Sequence, residues 1–213
     1  LIGTRGMIDL VDAIGLLSRS KSWTTSDQKG VEAWFAQFLK WMQESKLGKE
    51  ESESKNNHGS YYDAQVVSYA QFTGKKDLAK KTLEAAKEKR IAAQIDPDGK
   101  QPLELARTRS WSYSTMNLEG LIVLAELGDS AGVDLWSFQT RDGRGIRKAL
   151  DFLYPFAVGE KNWPYRQIVE FEPERFFALM RRVDGKFRDD AFQKMMAKVP
   201  VATDGSIYYL AGR

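Results

Sequence analysis

The stretch Ser112-Tyr113-Ser114-Thr115-Met116-Asn117-Leu118-Glu119-Gly120-Leu121-Ile122-Val123-Leu124-Ala125-Glu126-Leu127 decides the fold class. Wound at about 3.6 residues per turn, Leu118, Leu121, Ile122, Val123, Leu124 and Leu127 leave little of its circumference to water. A helix apolar nearly all round is one covered on most sides, and Gly128 stands where a cap is expected. Such a helix needs neighbours, and the rest of the chain offers them.

Met7, Leu10, Val11, Ile14 and Leu17 recur at three- and four-residue steps, as do Val31, Trp34, Phe35, Phe38, Leu39 and Met42. Each set makes one apolar stripe, predicting helices near 5–18 and 25–46. Thr24 with Asp27 has the form of a capping box ahead of the second helix, and Gly48 marks where it should stop. Residues 61–72 read as a helix ended by Thr73-Gly74. Residues 77–93 read as another, stopped before the turn Asp96-Pro97-Asp98-Gly99, and the two pair naturally as a hairpin. Helices near 145–156, 172–183 and 189–198 complete the pattern. Sustained alternation is lacking apart from a weak strand signal at 206–210. The chain is therefore mainly α, and helix pairs about every 40 to 50 residues argue for stacked hairpins, closing into an α/α toroid or continuing as a solenoid. Loops at one end of such hairpins face a common cleft.

Composition limits the function. The 213 residues, 42% hydrophobic and 12% aromatic, suffice for a substantial core, within one domain or part of a larger one. A single domain over 1–213 is expected. Because the chain begins Leu1-Ile2-Gly3 without Met or a signal-peptide pattern, the natural protein is expected to extend upstream, with part of the fold outside this chain. No apolar run reaches the roughly 18 residues that span a bilayer. The absence of cysteine excludes disulfides and thiolate chemistry. A net charge of +3 is too weak a basic footprint for a nucleic-acid binder, while an anionic ligand remains compatible. Residues 46–55 form a mixed charge run that reads as a solvated loop, with Lys46, Lys49 and Lys55 as weaker candidates for steering an acidic ligand.

Chemistry concentrates in two runs. The first is Lys55-Asn56-Asn57-His58-Gly59-Ser60-Tyr61-Tyr62-Asp63, which holds the single histidine of the chain. The second is Glu104-Leu105-Ala106-Arg107-Thr108-Arg109-Ser110-Trp111-Ser112-Tyr113-Ser114, leading into the most apolar helix. Taken alone, His58 reads as a structural histidine at a helix start, and Arg107 and Arg109 as a surface pair with Trp111 and Tyr113 in the core. Together the runs supply an amide, an imidazole, guanidinium groups and a phenol, and that combination favours a site. Other chemistries find little support: Gly143-Arg144-Gly145 lacks the strand context of a phosphate loop, one histidine without cysteine argues against a transition-metal cluster, and Asp96, Asp98 and Gly99 make a turn rather than a calcium loop.

In order, spacing and identity, the runs at 56–63 and 104–114 resemble those of the alginate lyase superfamily, polysaccharide lyases with an α/α toroid catalytic domain. The resemblance implies β-elimination on a uronic-acid polysaccharide, a periplasmic or secreted location, and Asn57, His58, Arg107 and Tyr113 on the family's catalytic positions. The residue types suit that reaction. The C5 proton of a 4-linked uronate becomes acidic when donors neutralise the adjacent carboxylate, a role open to Asn57, Arg107 and His58. A base must take the proton and an acid must protonate the departing oxygen. Tyr113 serves as both when proton and leaving group share a face of the ring, whereas opposite faces require His58 as base and Tyr113 as acid. No metal or organic cofactor is required.

For substrate binding, Tyr61, Tyr62 and Trp111 are candidate stacking surfaces, Lys55, Arg109 and Arg166 with Arg107 are candidate partners for uronate carboxylates, and Asn56 is a further polar contact. For Trp163 and Tyr165 ordinary packing is favoured, and Trp34 and Trp41 read as structural. The motif does not separate mannuronate, guluronate and glucuronate, although alginate, as polymannuronate, is favoured over glucuronan. Two rivals are a toroidal glycoside hydrolase using Asp63 with Glu104 or Glu119, and a non-catalytic carbohydrate-binding module.

Overall fold

The computed structural model describes residues 1–201, among which every regular element is a helix. After a 3-10 turn at Ile2–Thr4 come α1 (Met7–Leu17), α2 (Thr25–Glu44), α3 (Lys46–Ser52), α4 (Asn57–Phe72) and α5 (Lys76–Ala86), the last continued by a π-helical turn at Lys87–Ala92. There follow α6 (Pro102–Leu105), α7 (Ser110–Ala131), α8 (Ile146–Ala157), α9 (Glu174–Arg182) and α10 (Asp190–Met196). No helix among the described residues is long and apolar enough to cross a membrane. The strand signal at 206–210 lies outside the described residues.

The apolar stretch is the heart of α7. Leu118, Leu121 and Ile122 are wholly buried, each contributing about 1.5–3 kcal/mol. The helix overruns both expected ends, because Gly132 rather than Gly128 supplies the left-handed cap, at φ 69°. Gly128 is needed for another reason, since a Cβ there would lie 2.4 Å from the Val133 carbonyl oxygen.

Side-chain contacts fix helix directions. Ser60 on α4 lies against Asn117 on α7, and Gln71 reaches Leu127 and Ser130, so α4 and α7 run parallel. Arg175 and Arg182 on α9 pair with Glu119 and Glu126 on α7, so α9 runs parallel to both. By contrast α5 turns back on α4, beginning beside Ala70 and ending with Arg90 beside Asp63. Likewise α2 is antiparallel to α4, with Phe35 against Phe72 and Met42 against Tyr62. Parallel helices linked through antiparallel returns are what stacked hairpins produce, and the expected pairing of α4 with α5 holds.

Thr24 and Asp27 form the capping box of α2. The expected loop at 46–55, however, is largely helical, and the chain redirects at Ser45 before Gly48 is reached. Ser45 caps α3 by accepting from the Gly48 N–H at 3.0 Å. Gly48 then packs so tightly on α2 that a Cβ would stand 1.7 Å from the Met42 carbonyl oxygen.

Candidate active site

Asn56 adopts an extended conformation and its side-chain oxygen accepts the His58 N–H at 3.1 Å, a helix N-cap that starts α4 four residues earlier than periodicity alone indicates. Asn57 and His58 therefore occupy the first turn of a rigid element. Register does the rest: Ser60 faces Asn117, so Tyr113, one turn before Asn117, stands level with the first turn of α4. A buried network holds that register. Asn117 Nδ2 donates to Gln94 and Gln101, both at 2.8 Å, and Ser60 Oγ lies 2.9 Å from Gln94 Oε1.

Glu104 on α6 ties the two runs together. Its carboxylate accepts the Asn57 backbone N–H at 2.7 Å and the Asn57 side-chain amide at 2.9 Å on both oxygens. Burial pushes the Glu104 carboxyl above the usual carboxylate range, opposed by the Asn57 donors and by the nearby charges of Arg107 and His58. The Arg107 guanidinium sits 4.1 Å from the centre of the Tyr113 ring, a cation–π arrangement that fixes both side chains. Asn57 is thus bonded to a buried carboxylate that also feels the charges of Arg107 and His58, and Tyr113 joins them through Arg107. Arg107, Tyr113 and His58 are partly open to solvent, while Asn57 is buried with its amide oxygen unpartnered.

The remaining candidates divide. Lys55, Arg109 and Arg166 are exposed. Arg109 and Arg166 come together because residues 108–110 pair with 166–168, Ser110 N–H donating to the Arg166 carbonyl at 3.1 Å and Ile168 N–H to the Thr108 carbonyl at 3.0 Å. The aromatic expectations need correction. Trp111 is 1% exposed, wedged against Trp163, Phe171 and Phe176, with its indole N–H on the Glu172 carbonyl. Tyr62 is buried with its hydroxyl on the Met42 carbonyl, and burial, then Asp63, raises its phenol to about 12. Tyr61 is 3% exposed and donates to Glu119. Their faces are taken up by protein, so none is free to stack on a sugar. Asn56 has spent its side-chain oxygen on the cap.

Trp163 and Tyr165 pack on each other as expected, yet both also line a cavity of about 660 Å³ with Phe156, Phe171 and Gln167. Trp34 and Trp41 stack on Phe38 at the half-exposed face of α2. Sequence reasoning passed over Glu51, which lies 3.0 Å from His58 Nδ1, because it sits in the run read as a loop. Among the described residues no group of three or more Asp, Glu or His side chains is placed to hold a metal ion.

Comparison with protein families matches the alginate lyase family over residues 2–163. The chain belongs to that family. A crystal structure of an alginate lyase from Bacteroides ovatus superposes with a TM-score of 0.89 at 38% identity, over 94% of this chain and 54% of that one. The parallel helices with antiparallel returns are accordingly part of an α/α toroid, and this chain spans about half the length of that alginate lyase. Comparison with curated proteins gives no match.

Proposed function

We propose that the protein is a polysaccharide lyase that cleaves a 4-linked uronic-acid polymer by β-elimination, with alginate the favoured substrate and glucuronan next. The observation that carries this reading is a chain of contacts: Glu104 holds Asn57 and faces the charges of His58 and Arg107, and Arg107 rests on the Tyr113 ring. Family membership supports it independently.

In the proposed mechanism Arg107 pairs with the uronate carboxylate and stabilises the enolate that forms when C5 loses its proton. The Asn57 donors are occupied by Glu104, so carboxylate neutralisation falls on Arg107 more than the sequence alone implied. Tyr113 protonates the leaving glycosidic oxygen. It also takes the C5 proton when both lie on one ring face, and His58 takes it when they do not. Lys55, Arg109 and Arg166 provide exposed positive charge for further carboxylates of an anionic chain. A periplasmic or secreted location is proposed with this substrate.

The hydrolase alternative loses its carboxylates. Asp63 is held by Arg90 at 2.7 Å, Glu104 by Asn57, and Glu119 by Tyr61 and Arg175, and Asp63 and Glu104 are also buried. A hydrolytic pair needs one group free to protonate the leaving oxygen and one facing water or the anomeric carbon. Incubation with polymannuronate, polyguluronate and glucuronan, followed by ultraviolet absorbance of the 4,5-unsaturated end, tests the proposal. Absorbance should rise with at least one polymer. New reducing ends without absorbance would establish hydrolysis instead.

A further inference from the structure

Glu51 lies on α3, outside both motifs, and its Oε1 stands 3.0 Å from His58 Nδ1. A carboxylate only accepts, so the contact requires a proton on Nδ1. In neutral His58 the other nitrogen, Nε2, is then the bare acceptor, and no hydrogen bond to Nε2 is present among the described residues. We infer that Glu51 is the positioning residue of the site: it fixes the His58 tautomer and ring orientation so that Nε2 is presented as a proton acceptor. This rests on the lyase reading for its purpose, though not for its geometry.

The contact is built into the fold rather than left to a mobile surface side chain. At one end Gly48 locks α3 onto the Met42 carbonyl. At the other, the buried Arg90 guanidinium donates to the Ser52 and Ser54 carbonyls at 2.7 and 2.6 Å and to Asp63 at 2.7 Å. It reaches them across Gly59, where a Cβ would lie 2.1 Å from its Nη1. The segment carrying Glu51 is thereby pinned to the first turn of α4, which carries His58. Glu51 itself is largely buried, at 16% side-chain exposure against 36% for His58. The charge facing the pair is Glu104, across the site.

The second motif helix gives the purpose. Tyr113 suffices where proton and leaving oxygen share a face, and only elimination across opposite faces needs a bare imidazole nitrogen. An enzyme that fixes the acceptor form of His58 is equipped for that second geometry.

Because the 213 residues contain one histidine, a long-range proton–nitrogen spectrum of the ¹⁵N-histidine-labelled chain, taken where the ring is neutral, reads the tautomer without assignment. Wild type should show the Nδ1–H pattern. Glu51→Gln, which keeps an acceptor oxygen, should retain it, and Glu51→Leu should relax towards Nε2–H, the form preferred by imidazole in water. An Nε2–H pattern in wild type overturns the inference, and that spectrum decides even if Glu51→Leu fails to fold. Turnover supplies the second readout: Glu51→Leu should lower kcat on the order of 10²-fold on the polymer that needs His58 as base, with KM nearly unchanged. Equal kcat values for wild type and a folded Glu51→Leu would also overturn it. If the tautomer is as stated and no uronate polymer is cleaved, Glu51 keeps its positioning role and the lyase reading falls alone.

Discussion

Tyr113→Phe removes one oxygen from the molecule and leaves the ring on which Arg107 rests at 4.1 Å. The packing around α7 should therefore survive while proton transfer to the leaving oxygen does not. The expected loss in kcat is about 10²–10⁴-fold, with a urea-unfolding free energy within about 0.5 kcal/mol of wild type. His58→Ala should behave alike on any polymer whose elimination needs the imidazole, since His58 is partly exposed and its backbone cap to Asn56 does not involve the ring. A variant of either kind that turns over at a near-normal rate removes that residue from the mechanism. At this scale the sequence was most legible where chemistry is carried by unusual residue types. The lone histidine, the paired asparagines and the run from Arg107 to Tyr113 stand out in the sequence, and the structure brings Asn57 to Glu104 and Arg107 to Tyr113. The aromatic neighbours misled, because Tyr62 and Trp111 look the same in sequence whether their rings face a sugar or a Met42 carbonyl and a Glu172 carbonyl. Glu51 left no trace, since a glutamate among Lys, Ser and Glu has the composition of any wet surface.

Among the elements, long helices could be read and short ones could not. The periodicity of α2 and α7 extends over many turns, whereas α3 has seven residues and declares itself only through Ser45 and a glycine whose purpose is tertiary. Two glycines show how differently one residue type is used. Gly59 has no space for a methyl, because Arg90 Nη1 and the Ser54 carbonyl oxygen would each stand 2.1 Å away. Gly30 lies on the exposed side of α2 with nothing within 4 Å. Gly59→Ala should destabilise by about 1–3 kcal/mol as Arg90 is displaced, and Gly30→Ala should stabilise by about 0.5–1 kcal/mol through helix propensity. Urea midpoints of the two variants check both signs. Equal shifts would mean that the Arg90 clamp on residues 52–54 does not constrain the first turn of α4.

For the molecule as a whole, the helical class and the hairpin pairing followed from period and turn chemistry. The parallel run of α4, α7 and α9 did not, since direction is written in contacts such as Ser60 with Asn117 and Arg182 with Glu126 that join residues 56 or more positions apart. The last helices are tied on by charge. Arg147 on α8 donates to Asp189, which also caps α10 through the Phe192 N–H, and these bonds hold the Asp189 carboxyl at about 2, below its ordinary 3.8. A depressed folded-state value means the contribution is complete above about pH 4 and lost as pH falls towards 2. Carbon-detected carboxylate titration should find the Asp189 midpoint near 2 and return it towards 3.8 in Arg147→Gln. An unshifted wild-type midpoint would show that the ion pair is not maintained in solution.

The polar links between α4 and α7 have one more consequence. Oiled surfaces slide, and two greasy cylinders side by side have several comfortable settings a turn apart, about 5.4 Å from one another. Ser60, Asn117, Gln94 and Gln101 admit one setting, in the manner of a key cut for a single lock. The surrounding leucines tolerate exchange for other greasy side chains of like volume, while a change at those four positions would free α7 to shift along α4 and carry Tyr113 away from the first turn of that helix.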